Sequence, residues 1–172
     1  MSYKLHQLDF SVPSMQVFES IKNEDWSIFL NSNSKQYPDQ RFDILSAKPK
    51  KKIIFSDDNT YLINGDQQPK KSELCPFELL KKIMSEYKFD SNPEIPFSGG
   101  AIGYISYDYG NRLHNIKNKN KCFSHPLFAF GIYDWAIIYD YVQEKSFLLY
   151  HEKNSITEKI INNYQELSLI HI

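Results

Sequence analysis

The sequence predicts a mixed α/β chain, on three observations. Short runs of β-branched and aromatic residues recur between clusters of Asn, Ser, Gln and Pro, the punctuation expected between strands. Two other segments place apolar residues at helical spacing. Apolar residues make up 41% and aromatics 15% of 172 residues, enough oily surface to offset the chain entropy that keeps polar sequences disordered. At this length a single domain is the default, and residues 1–172 are read as one.

Taken in order, residues 26–30 and 41–47 read as two strands joined by a long loop. Residues 52–55 and 61–63 flank Ser56-Asp57-Asp58-Asn59, whose short polar side chains tolerate turn geometry, so they read as a hairpin. The lysine-rich stretch 48–52 reads as a solvated strand edge rather than a phosphate grip. Pro76 suits a first helical turn, where its missing N–H has no partner to lose. Leu79, Leu80, Ile83, Met84 and Tyr87 then form one apolar face. Residues 99–107 and 132–141 read as strands, and Gln143-Glu144-Lys145 separates the second from another at 147–150. Ser155 and Glu158 have capping-box spacing ahead of an apolar stripe of Ile156, Ile160, Ile161, Tyr164 and Leu167, which predicts a last amphipathic helix. The alternating Asn and Lys of 115–121 predict an exposed loop.

Charge and motif chemistry exclude more than they assign. Lysine and arginine total 20 against 21 acidic residues, a field too weak to steer nucleic acid. The amino terminus carries Lys4, His6 and Asp9 where a signal peptide needs an apolar core, and no run approaches membrane-span length; a cytoplasmic protein without a membrane partner is expected. Cys75 and Cys122 form no CxxC pair and read as reduced thiols. Gly99-Gly100-Ala101-Ile102-Gly103 lacks GxGxxG spacing and leads into β-forming residues, so its glycines are assigned to positive φ or close backbone packing at the start of a strand. The five histidines, His6, His114, His125, His151 and His171, show no ligand spacing. Asp108, Asp134 and Asp140 lie in or beside strands with no acid–base partner in sequence, which favours capping or buried hydrogen bonds.

Four segments in order, Trp26-Ser27-Ile28-Phe29-Leu30-Asn31-Ser32, Arg41-Phe42-Asp43-Ile44-Leu45-Ser46-Ala47-Lys48-Pro49, the run 96–108 from Pro96 to Asp108, and Gly131-Ile132-Tyr133-Asp134-Trp135-Ala136, resemble the chorismate-utilising component I enzymes. The resemblance spans about residues 17–150 and favours the folate branch, aminodeoxychorismate synthase, over anthranilate synthase. It implies an α/β (α+β) architecture of packed, mostly antiparallel sheets with outer helices, as in the amino-terminal region of that family. The family's chorismate site, its Mg2+ and its catalytic residues lie in a longer portion that this chain lacks. The resemblance therefore implies no catalytic residue and no cofactor here, and an inactive chain when isolated.

The same resemblance implies part of a tryptophan pocket. Ser32 would offer its hydroxyl to the ligand's polar end, and Asp39, Gln40, Arg41 and Phe42 would follow at the start of the next strand. Asp39 stands where the family often carries an aromatic residue, Asn111 where it carries arginine, and His114 where it carries an acid. The implied partners are a glutamine amidotransferase, component II, a separately encoded chorismate-binding domain, and tryptophan. The alternative is a stand-alone tryptophan-like ligand-binding or amidotransferase-docking module. In the family the sheet packs on the catalytic portion, so residues 99–107 and 132–141 are expected to leave apolar side chains uncovered.

Overall fold

The computed structural model describes residues 3–32, 41–87, 89, 92–113, 125–152, 157–160 and 162. In chain order the elements are β1 (Lys4–Leu8), α1 (Ser14–Ile21), β2 (Ile28–Leu30), β3 (Phe42–Ser46), β4 (Lys51–Ser56), β5 (Asn59–Asn64), β6 (Lys70–Ser72), α2 (Pro76–Glu86), β7 (Gly100–Ile105), α3 (Tyr107–Leu113), β8 (Phe128–Tyr133), β9 (Trp135–Asp140) and β10 (Lys145–Tyr150). They form two five-stranded antiparallel sheets, β1-β10-β9-β3-β2 and β6-β5-β4-β8-β7. The chain divides into two compact units: Met1–Lys48 with Phe89–Gly100 and Tyr133–Ile172, and Pro49–Lys88 with Ala101–Ile132.

The first unit is built around β9, the middle strand of its sheet. Trp135, Ile137 and Tyr139 alternate onto one face and join Leu45, Leu148, Val17 and Ile21 in a single core. Each fully buried aliphatic side chain there contributes about 1.5–3 kcal/mol. The Tyr139 hydroxyl donates to the Val12 carbonyl at 2.7 Å, which ties the segment before α1 to the sheet. Phe18 of α1 stacks on Phe29 of β2 at 5.2 Å. Helical backbone at 157–160 buries Ile160, where the last helix was expected. Ser155, Ile156, Tyr164 and Leu167 lie outside the described residues, as does the loop expected at 115–121.

In the second unit the β4–β5 hairpin turns through Asp57 and Asp58 at φ +48° and +64°, the paired positive φ that a tight two-residue hairpin turn demands. α2 lies against β4. It buries Leu79 and Ile83, and the Glu78 carboxylate accepts the Cys75 N–H at 3.2 Å to close its capping box. Phe77 meets Tyr109 and Phe128 edge-on at 5.6 and 5.2 Å, and Phe55 meets Tyr109 at 5.5 Å.

Four expectations require correction. The 132–141 run is not one strand: Asp134 divides it, with β8 in one sheet and β9 in the other. β9 is buried along its length and β8 at every residue but the half-buried Phe130, so apolar character continues through the break. Nor does that run present uncovered apolar side chains, since every residue of β9 is buried. The lysine stretch is not a strand edge, because β4 lies between β5 and β8 and Lys52 is buried. Lys48 instead takes φ +47° and pairs with Glu24 at 2.8 Å. Finally, the 99–107 strand ends at Ile105, and Tyr107 opens α3.

Candidate functional site

The antiparallel pairing of β2 with β3 sets Leu30 against Ile44, so Asn31 and Ser32 run on past the end of β2 beside Asp43. Asp43 has no solvent exposure. A carboxylate in that position costs several kcal/mol unless its lone pairs are filled, and the surrounding chain fills them. One oxygen, Oδ1, accepts the Ser32 backbone N–H at 2.7 Å and the Ser32 hydroxyl at 3.1 Å. The other, Oδ2, accepts the Ser14 hydroxyl at 2.7 Å, the Tyr141 hydroxyl at 2.7 Å and the Asn31 amide at 3.1 Å. Burial above all, with Asp43 as hydrogen-bond acceptor and charge, pushes the Tyr141 phenol up to about 12. Tyr141 therefore stays a proton donor throughout the neutral range.

Arg41 lies just before β3 and reaches Asp140 at the end of β9, with Nε donating to Oδ1 at 2.9 Å and Nη2 to Oδ2. Asp140 Oδ1 also accepts the backbone N–H groups of Val142 and Gln143 at 3.0 and 3.1 Å. Burial opposes the Asp140 charge, but the Arg41 hydrogen bond, the two N–H groups and the Arg41 charge outweigh it and hold the carboxyl below its usual range. Asp140 in turn raises Arg41. The guanidinium carbon lies 4.5 Å from the centre of the half-buried Phe42 ring, within cation–π range.

Of the five residues implied for a tryptophan-type pocket, Ser32 follows β2 and Arg41 and Phe42 stand at the start of β3, and Asp39 and Gln40 lie outside the described residues. The structure gives Ser32 and Arg41 internal partners, Asp43 and Asp140. The Ser32 hydroxyl spends its proton on Asp43 and keeps acceptor capacity. Sequence reasoning missed Asp43, Ser14, Asn31 and Tyr141. The signal was present: Asp43 is a charged residue inside the apolar run Phe42-Asp43-Ile44-Leu45, and buried Asp is rare without partners.

A second motif, Ser98-Gly99-Gly100, is held by His151. Its Nε2 lies 2.6 Å from the Ser98 carbonyl, and its ring centre 4.9 Å from that of Phe89. Gly99 takes φ +114°, and a Cβ there would meet the Phe89 ring at 2.6 Å, which accounts for glycine at this position. In the other unit an open cleft is lined by Phe55, Thr60, Lys71, Ser72, Cys75 and Tyr109. Cys75 is a free, exposed thiol. Among the described residues no three His, Cys, Asp or Glu side chains converge as a metal site, and no helix is long and apolar enough to cross a membrane.

No family model matches the chain. Component I of aminodeoxychorismate synthase from Escherichia coli is 28% identical over 137 residues, which cover 78% of this chain and 30% of the relative. The Klebsiella aerogenes protein of the same name is 29% identical over 127 residues, 72% of this chain and 28% of the relative. Anthranilate synthase component 1 from Lactococcus lactis is 27% identical over 151 residues, 84% and 31% of the two chains. The chain thus spans about 30% of the length of the curated relatives it matches. Its fold resembles that of a solved anthranilate synthase component I from Streptococcus pneumoniae, with a TM-score of 0.59 at 23% identity over 94% of this chain and 35% of that one.

Proposed function

We propose, for a chain whose homologues are component I of aminodeoxychorismate and anthranilate synthases, that it supplies the amino-terminal part of an aminodeoxychorismate synthase component I. Together with a glutamine amidotransferase, component II, such a protein converts chorismate to 4-amino-4-deoxychorismate for 4-aminobenzoate and folate. The observation that supports this reading most is the ordered set of four motifs, carried by a chain that aligns over 72–78% of its length with two aminodeoxychorismate synthase proteins. The residues that hold chorismate and Mg2+ in the family belong, by the resemblance, to the portion of the relatives that does not align. The 172-residue chain alone is therefore inactive.

The test is genetic. The chain is co-expressed with the remaining, chorismate-binding portion of the Escherichia coli component I in two strains, one requiring 4-aminobenzoate and one requiring tryptophan. Growth without 4-aminobenzoate, and no growth without tryptophan, is the expected result. Rescue of the tryptophan requirement alone, or of neither, counts against the reading.

The proposal extends to a tryptophan-type site at Ser32, Asp39, Gln40, Arg41 and Phe42, with low affinity in this chain. Ser32 already spends its hydroxyl proton on Asp43, and the Arg41 guanidinium is held by Asp140 through Nε and Nη2, and one wall of the indole site would come from outside the chain. Calorimetric titration with tryptophan should show no binding in the micromolar range. A dissociation constant of about 1 µM, which corresponds to about 8 kcal/mol, would contradict this.

A further inference from the structure

Phe128, Phe55, Thr60 and Ser72 stand opposite one another across β8, β4, β5 and β6, so their side chains share one face of the second sheet. Phe77 and Tyr109 pack over the Phe55 and Phe128 end of that row. Thr60 and Ser72, at the other end, line an open cleft of about 340 Å³ together with Tyr109 and with Cys75, the residue before α2. That volume lies in the range of small-molecule sites. Thr60 and Tyr109 are only 4% and 5% exposed, yet neither hydroxyl has a hydrogen-bond partner among the described residues. A buried hydroxyl without a partner is destabilising, and a ligand's polar atom in the cleft removes that cost. Burial first, and then the charge at Cys75, raise the Tyr109 phenol, so it keeps its proton and serves as a donor.

The rim of the cleft carries both signs of charge, Lys71 beside Asp58 and Glu73. Cys75 adds a free, exposed thiol, held in place by the Glu78 carboxylate, which accepts its N–H at 3.2 Å. A zwitterionic amino acid matches this lining. Its carboxylate accepts the two buried hydroxyls, its ammonium faces the acidic rim, and its methylene group lies on Phe55. We propose that the cleft takes an amino-acid disulfide of the cystine type and that Cys75 captures half of it as a mixed disulfide. The Cys75 thiolate attacks one sulfur of the bound disulfide, and the new S–S bond forms as the old one breaks. The departing cysteine thiolate takes up the proton that Cys75 gave away. The disulfide is thus the oxidant, and one free cysteine leaves for each Cys75 oxidised.

The test uses the full chain with Cys122→Ser, which leaves Cys75 as its one thiol. Mass spectrometry after exposure to cystine should show one cysteinyl adduct, reversed by dithiothreitol and absent from Cys75→Ser. Tyr109→Phe keeps the ring and removes the donor. It should slow the reaction with cystine about tenfold, as expected for one lost hydrogen bond to a carboxylate. The rate with hydroxyethyl disulfide, which has neither carboxylate nor ammonium, should stay unchanged. S-methylcysteine, with the same polar groups and no disulfide, should protect Cys75 from hydroxyethyl disulfide. No adduct at Cys75, or a folded Tyr109→Phe variant that treats the two disulfides as the parent does, would overturn the proposal and leave an exposed thiol without a site. Should Tyr109→Phe lose its cooperative urea transition, failure of S-methylcysteine to protect the parent chain would overturn it equally.

Discussion

Asp43 spends both carboxylate oxygens on the protein itself, and the five donors it gathers come from residues 14, 31, 32 and 141. Removing it leaves buried donors without an acceptor, each worth about 1–3 kcal/mol when unsatisfied. Asp43→Ala should therefore cost about 3 kcal/mol or more in urea unfolding, whereas Tyr141→Phe, which removes one donor, should cost about 1 kcal/mol. The Arg41–Asp140 pair makes a separate prediction. The folded Asp140 carboxyl lies below its usual range, so its contribution is fully present above the unfolded aspartate pKa of about 3.9 and fades as pH falls through the folded value. The difference in urea midpoint between the wild type and Asp140→Asn should hold from pH 7 to 5 and shrink below about pH 4. A difference that grows on acidification would contradict the ion pair. None of these partnerships was legible in the sequence. Asp43 lies 29 residues from Ser14 and 98 from Tyr141, and Arg41 lies 99 from Asp140; local pattern carries no information at such separations.

Elements were legible where the signal is local. The β4–β5 hairpin follows from its turn residues, and α2 from Pro76 and its apolar face. α1 was not seen, since it begins after Pro13 with no side-chain cap and no acidic residue in its first turn. The β8–β9 break was hidden because buried strands on both sides of Asp134 give one apolar run. The glycines of residues 99–103 do what the sequence assigned to them, positive φ at Gly99 and Gly100 and close backbone packing at Gly103. A Cβ on Gly103 would come within 2.0 Å of the Ala129 carbonyl oxygen and 2.6 Å of the Phe130 Cα, both backbone atoms of β8. Gly103→Ala should therefore cost about 1–3 kcal/mol by forcing the two strands apart. Gly110 of α3 has open space where its Cβ would stand, so Gly110→Ala should be neutral or stabilising by up to about 1 kcal/mol. Urea unfolding of the two variants side by side checks the contrast, and equal effects would contradict the close approach.

At the scale of the whole molecule, the chain matches about 30% of the length of its curated relatives and carries its polar network in a unit whose core is closed around β9. The family resemblance was legible because its four motifs lie on or beside β2, β3, β7, β8 and β9, strands whose pattern is local. The role of the chain in a complete enzyme is the central claim. The direct measurement is chorismate amination, followed by chromatographic detection of 4-amino-4-deoxychorismate, with Mg2+ and ammonia as co-substrate. Three samples are compared: the purified chain, the chorismate-binding portion of the Escherichia coli component I, and the two mixed. Product from the mixture alone is the predicted result. Product from the 172-residue chain by itself, persisting through repurification, or a mixture no more active than its parts, would contradict the account.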